Sequence, residues 1–286
     1  MNPSTPAELS LGTWRRDPGT VVRRAVSVPP GDVGSLTIYA ESEVPGVATD
    51  WTPHSHPMHE LVWVHRGTLT SRIGNRIVTV PPGFGLWLPA GVVHGGRLTA
   101  AAVLHDAFFA PDRTPVAFPG PTLITMTMLL ESLLARLAGT GLEAGERART
   151  EAVVFDVLEP SEQQFALELP GDPRIDPIAE ALLADPSDDR GLLEWAAHLE
   201  LSDRTITRAF RGATGLSFAQ WRQSLRIHQA LALLSEGAEV ATVSERLGYA
   251  QPSTFIAAFS RVMKVTPGRL GVRNPVSGVQ TAGLQT

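Results

Sequence analysis

The 286-residue chain contains no cysteine, a single lysine (Lys264) and only two tyrosines. Without thiols it can form no disulfide, no thiolate–metal site and no cysteine nucleophile, which fits a reducing compartment. No apolar run approaches the roughly 20 residues that span a bilayer. The opening MNPSTPAELSLGTWRR lacks the apolar core of a secretion signal. The expectation is a cytoplasmic protein with no membrane partner. The scarcity of lysine looks like a GC-rich coding bias, so arginine at any one position says little by itself about guanine reading.

What is present is unevenly distributed. The net charge is −5, which taken alone argues against nucleic acid. From Leu201 onward, however, there are ten Lys/Arg against four Asp/Glu, whereas residues 1–200 hold fourteen against twenty-five. A basic segment joined to an acidic one points to a nucleic-acid-binding part. The length suggests two domains.

Residues 20–105 read as short strands punctuated by Gly, Pro and Asn, with a turn at IGNR (73–76). This is the pattern of a sandwich or small barrel. Within it, HSHPMHELVWVHRG (54–67) holds four of the eight histidines. His54 and His56 share parity with Glu60, and Pro57 bends the chain between them. A Pro-rich break at 110–121 follows. TLITMTMLLESLLARLAG then places Leu123, Met126, Leu130, Leu133 and Leu137 at helical spacing. GERARTEAVVFDVLEP reads as a second helix and SEQQFALELPGDPRIDP as an acidic loop. From Asp176 nearly to Arg269 the pattern is helical, and the tail 273–286 reads as disordered.

Two segments of the helical part share one arrangement. In 191–217, Leu192, Leu193, Ala196 and Ala197 form an apolar face, and Ser202 or Asp203 can cap the next helix. That helix buries Ile206, Ala209, Phe210 and Ala213, and carries Arg204, Thr207, Arg208 and Arg211 on the opposite stripe. An ordinary helical hairpin and a helix-turn-helix explain this segment equally well. In 239–267 the arrangement recurs: Val240, Val243 and Leu247 line a first helix, Gly248 and Tyr249 make a turn, and Phe255, Phe259 and Val262 face inward. SFAQWRQSLRIHQALALLSEG connects the copies as one long helix.

Over about Asp176–Leu270 these residues resemble the AraC/XylS family of bacterial transcription regulators. The resemblance rests on TGLSFAQWRQSLRIHQALALL and VSERLGYAQPSTFIAAFSRVMKVTP. It implies two helix-turn-helix units entering successive major grooves of double-stranded DNA. It assigns Arg204, Thr205, Thr207, Arg208 and Arg211 of the first unit, and Gln251, Ser253 and Thr254 of the second, to DNA binding. Arg211, Arg222 and Arg226 are matched to phosphates or internal ion pairs. Ala257, where many members have a long polar side chain, weakens base reading by the second unit. Lys264 replaces a frequent glycine and Gly271 a usual arginine.

The N-terminal part resembles the cupins. His54, His56, Glu60 and Gly67 fit the first cupin motif, and Gly83, Pro89, Gly91 and His94 the second. The resemblance implies that His54, His56, Glu60 and His94 converge on one divalent transition metal (Fe, Mn, Zn, Ni or Cu) with open coordination positions. The same tetrad can instead form a polar pocket for an organic effector. His59, His65 and His105 fall outside the ligand set.

The expected fold class is thus α+β with two domains: a cupin barrel over 1–110 and a helical dimerisation or linker region over 111–172. An all-α double helix-turn-helix domain follows over 173–272. The expected function is a non-enzymatic, homodimeric regulator whose barrel senses a metal ion or small molecule. The alternative is a metal-dependent cupin dioxygenase or isomerase fused to a DNA-binding module. The retained tetrad and the tryptophan-rich motif resemble two subgroups: actinobacterial iron-limitation repressors, and regulators of drug-efflux genes that sense aromatic heterocycles.

Overall fold

The computed structural model describes residues 19–23, 36–100, 102–116 and 118–270. The expected tail, Gly271 and the opening residues lie outside the described residues. Strands β1 (Val21–Arg23), β2 (Ile38–Glu43), β3 (Thr49–His54), β4 (His59–Arg66), β5 (Leu69–Ile73) and β6 (Arg76–Val80) come first. Then follow β7 (Phe84–Leu88), β8 (His94–Leu98), β9 (Val103–Phe109) and β10 (Thr122–Thr125). Helices α1 (Met128–Ala138) and α2 (Ala144–Val157) precede a last strand, β11 (Ala166–Glu168). The helical part comprises α3 (Asp176–Ala184), α4 (Leu192–His198), α5 (Asp203–Thr214), α6 (Phe218–Ser235), α7 (Val240–Arg246), α8 (Pro252–Met263) and α9 (Pro267–Leu270).

The strands form two sheets, ordered β1-β3-β8-β5-β6-β11 and β10-β7-β4-β9-β2. Alternation along each strand divides inside from outside. In β4, Val62 and Val64 join Leu69, Val80 and Leu98 of the other sheet in the core between the two layers. Leu61 and Trp63, one residue out of step, join Trp87 and Phe109 on the outer face, beneath Leu130, Leu134 and Leu137 of α1 and Val154 of α2. Gly67, at the end of the first motif, has φ +71°, and a Cβ there would overlap Thr99 and Ala102. Only glycine lets the β4–β5 turn sit this close to the β8–β9 turn.

Three sequence expectations are corrected. Residues 122–125 form a strand, not the start of a helix: β10 pairs with β7, and Thr127 then caps α1 by accepting from the Leu130 amide. The acidic loop contains β11, which extends the six-stranded sheet beside β6. The barrel therefore takes two edge strands from residues 111–172, beyond its expected boundary at 110. In α4 the buried face carries Trp195 and Ala196, while Leu193 is 74% exposed and Ala197 is also exposed. The large indole, with the Arg190 guanidinium 3.6 Å above it, sets the helix phase. Ala213 of α5 is likewise exposed.

The outer face of the six-stranded sheet is covered by the helical part. Ile77 and Leu167 pack with Ile178, Trp195, Phe210 and Trp221. The Trp221 Nε1–H donates to the Glu168 carbonyl at 2.7 Å, and Thr79 Oγ1 lies 2.9 Å from Nδ1 of His228 on α6. The Thr68 hydroxyl donates to Ser235 near the end of the same helix.

His228 is buried in this joint, and burial pushes its pKa from 6.5 down to about 4. The unfolded chain takes up this proton as pH falls through 6.5, the folded chain only near 4. The stability that neutral His228 contributes is therefore intact above pH 6.5 and declines towards pH 4, by at most about 3 kcal/mol. Denaturant midpoints at about pH 7.5 and about pH 5 should fall less in His228→Gln than in the wild type. Equal falls would show that this histidine does not titrate on unfolding.

Candidate effector site and DNA-reading helices

The structure brings His54, His56, Glu60 and His94 together at one end of the barrel interior. His54 closes β3 and stands opposite His94, the first residue of β8. Glu60 lies on the inner face of β4, in register with Leu88 and Phe108. His56 lies in the loop between β3 and β4, not on a strand. That loop is tied to the second motif where the Gly91 amide donates to the His56 carbonyl at 2.8 Å. His59 makes a second tie: its Nδ1 accepts from the Ala90 amide at 3.0 Å, and its ring stacks on Trp87. A histidine outside the candidate ligand set thus positions both loops that carry it.

Each imidazole presents a nitrogen inward. Nδ1 of His54 donates to the Thr52 carbonyl at 2.7 Å, and Nδ1 of His94 lies 3.0 Å from the Val92 carbonyl. Their Nε2 atoms are left to face the centre. Inward nitrogens of the three histidines lie within 4.8 Å of one another. Glu60 Oε2 is 3.2 Å from His94 Nε2 and 3.5 Å from His56 Nε2, yet it is buried and no well-directed hydrogen bond reaches it.

Burial, reinforced by the charge of His94, lowers the His54 pKa to about 4, and burial also lowers that of His56. Both are neutral near pH 7. Burial alone would lower His94, but its contact with the Glu60 carboxylate outweighs this and raises it. Glu60 is pushed up by burial and, more strongly, held below the usual carboxylate range by the histidines. Inward imidazole nitrogens beside an anionic oxygen that lacks a directed partner are a donor set that fits a divalent transition metal.

Beside the tetrad stands a residue the sequence reading missed. Asp106 of β9 is in register with Val62 and Glu41, so it shares their face. Burial, then the charges of Glu60 and Glu41, raise its pKa well above the usual range. Tyr39 donates to Glu41 at 2.7 Å, and Phe108 sets its ring 5.3 Å from that of His56. The signal in the sequence was parity: Asp106 alternates in phase with Leu104 and Phe108. His65 and His105, by contrast, lie on the outer face, bonded to each other at 3.0 Å, with His65 near Glu131 of α1.

In the helical part, α4 and α5 form one helix-turn-helix and α7 and α8 the other, joined by α6. Ser202 caps α5 by accepting from the Thr205 amide, and the Thr205 hydroxyl also contacts it at 2.8 Å. Thr205 is therefore engaged within the cap, and Thr207 is half-buried. Arg204, Arg208 and Arg211 are exposed, and among the described residues no side chain pairs with their guanidinium groups. Gln251, Ser253 and Thr254 are exposed around the start of α8. Gly248, at φ +74°, makes the α7–α8 turn, where a Cβ would meet the Ser187 carbonyl at 3.1 Å. Arg222 and Arg226 point into the domain, donating to the carbonyls of Arg190 and of Pro186 and Asp188. They brace the segment before α4 through its carbonyls.

Comparison with known proteins agrees with this two-part organisation. Residues 41–104 match the AraC-like ligand binding domain and residues 195–271 a helix-turn-helix domain. The HTH-type transcriptional regulator NimR of Escherichia coli is 32% identical over 232 residues, spanning 80% of this chain and 85% of NimR. The regulator RipA of Corynebacterium diphtheriae is 27% identical over 72% of this chain and 58% of its own length. Among solved structures, ToxT of Vibrio cholerae aligns over 82% of this chain with 11% identity and a TM-score of 0.34. A cupin-like ligand-binding barrel fused to a double helix-turn-helix, with similarity to NimR along most of both chains, places the protein in the AraC family of DNA-binding, effector-controlled transcriptional regulators.

Proposed function

We propose that the His54, His56, Glu60 and His94 cluster is the input site of this regulator, and that it holds a divalent transition metal with coordination positions left for an effector. The observation that carries this is the gathering of three imidazole nitrogens within 4.8 Å of one another, two of them, on His94 and His56, lying 3.2 and 3.5 Å from a buried Glu60 oxygen that has no directed hydrogen bond. When bound, the metal supplies a Lewis-acidic centre for a donor atom of the effector. The protein's own groups do the rest. The Thr52 and Val92 carbonyls fix the ring orientations, His59 holds the two loops together, and Asp106, Glu41 and Tyr39 line the adjoining wall. The reading is of a sensor and not an enzyme, because the barrel is seated on the helix that joins the two DNA-binding units.

An effector shifts this protein only if it favours one arrangement of those units over the other. The physical connection is short. β8 carries His94 and pairs with β5, β5 pairs with β6, and the outer face of this sheet meets α6 at Thr68 and Thr79.

A second copy completes the reading. The expected apolar stripe of α1 is spent within the chain, with Leu130, Leu134 and Leu137 buried against the barrel. Met128 and Leu129 remain 74% and 53% exposed on the other side of the helix. These two are the homodimer contact, and Met128→Glu with Leu129→Glu should convert the full chain from dimer to monomer in sedimentation. An unchanged sedimentation coefficient would place the contact elsewhere.

Two measurements test the site and its output. DNA affinity of the full chain should change at least several-fold between chelator-treated and Fe(II)-, Mn(II)- or Zn(II)-loaded protein. His54→Ala should abolish that difference while leaving chelator-treated binding as it was. If neither metal nor His54→Ala alters DNA binding, the metal input is wrong. On the output side, Arg204→Ala and Arg208→Ala should each cost about 1–3 kcal/mol and relax preference at one base pair. A uniform loss across all sequences would make them phosphate contacts.

A further inference from the structure

The two DNA-facing helices carry opposite chemistry. On α5 the exposed stripe is cationic, with Arg204, Arg208 and Arg211. On α8, from Pro252 to Ser260, there is no charged residue. Phe255, Ala258, Phe259 and Met263 are buried. The face turned away from them presents Ser253, Ile256 and Ala257, with Ile256 38% exposed. Ile256 leaves more than a third of its surface in water on the second helix of a helix-turn-helix, outside the core cluster that holds Phe255, Ala258 and Phe259.

The bases narrow what such a face can read. Guanine is selected in the major groove by paired donors of arginine or lysine, and cytosine by a carboxylate acceptor. The first turns of α8 offer neither. Thymine alone presents a methyl group there, and an apolar side chain is its partner; adenine pairs with the amide of glutamine or asparagine. Gln251, exposed at the N-cap of α8, supplies such an amide. Cations lie at the margins of this uncharged face: Arg246 ends α7, and Arg261 and Lys264 lie at the far end of α8, all exposed. Positive charge at both ends suits the phosphate backbones that flank a groove.

We propose that the two units read chemically different half-sites, α8 taking an A·T-rich one by packing Ile256 and Ala257 against thymine methyl groups, and α5 taking a guanine-bearing one. This rests on the DNA-reading role given above to both units. The second unit therefore discriminates by apolar contact rather than by hydrogen-bonded charge, and its half-site is recognised with little contribution from arginine.

The test uses the full chain and duplexes selected by it from a random-sequence library. Each thymine of the selected duplex is replaced singly by uracil, which pairs identically but lacks the methyl group. At one or two positions in one half-site the wild type should bind the uracil duplex about fourfold more weakly, the weight of one buried methyl group. Ile256→Ala should lose that penalty and keep its guanine preferences. Ile256→Gln, which keeps a side chain of similar length at an exposed position, should move the preference there from thymine to adenine. Uracil tolerated at every position, or penalties unchanged in Ile256→Ala, overturns the proposal while guanine selection through Arg208 still stands. Failure to select any sequence overturns both the proposal and the DNA-reading assignment beneath it.

Discussion

Both sheets of the barrel carry large apolar side chains on their outer as well as their inner faces, and that constraint organises the rest of the molecule. A sheet with one polar face can leave that face in water. Here Trp63, Trp87 and Phe109 point outward from one sheet, and Ile77 and Leu167 from the other, all nearly inaccessible. Each outer face needs a cover. The helices α1 and α2 cover the first. The second is covered by the DNA-binding part, so the sensor cannot bury its own surface without engaging the element it controls. Buried polar groups make the joint specific: Thr79 with His228, and the Trp221 indole with the Glu168 carbonyl, find partners only across it.

The interior shows the same economy in another form. Successive residues of β4 serve different compartments: Glu60 faces the histidine cluster, Leu61 packs under the helices, and Val62 fills the core. A shift of register by one residue would exchange all three roles. The ties from His59 to Ala90 and from Gly91 to His56 resist such a shift.

Much of this was legible in the sequence where local spacing carried the information. The Ser202 cap and the α5 arginine stripe follow from short-range pattern, and the resemblance to the cupin motifs marks His54, His56, Glu60, Gly67 and His94. What was not legible depends on pairing between distant segments. β10 and β11 are four and three residues long, and nothing local distinguishes them from helix or loop until β7 and β6 lie beside them. Asp106 needed the β9–β4 register to reveal its place beside Glu60. The phase of α4 was misread because four small or medium apolar residues looked like a face, while a single Trp195, with more surface to remove from water, decides it. His228 lies within the long α6 pattern, and the docked sheet with Thr79 explains why it is buried.

The position of β11 bears on how the sensor could ever be studied by itself. The chain leaves the barrel after β10, builds both covering helices, and returns to supply the outermost strand of the opposite sheet. A fragment cut at residue 110 would contain every histidine of the tetrad yet expose the unpaired edges of β6 and β7, inviting strand exchange between molecules. A cut just past Glu168 keeps both edges closed but uncovers Ile77, Leu167 and Thr79. The seam between sensing and reading therefore runs through a packed surface and not through an open linker.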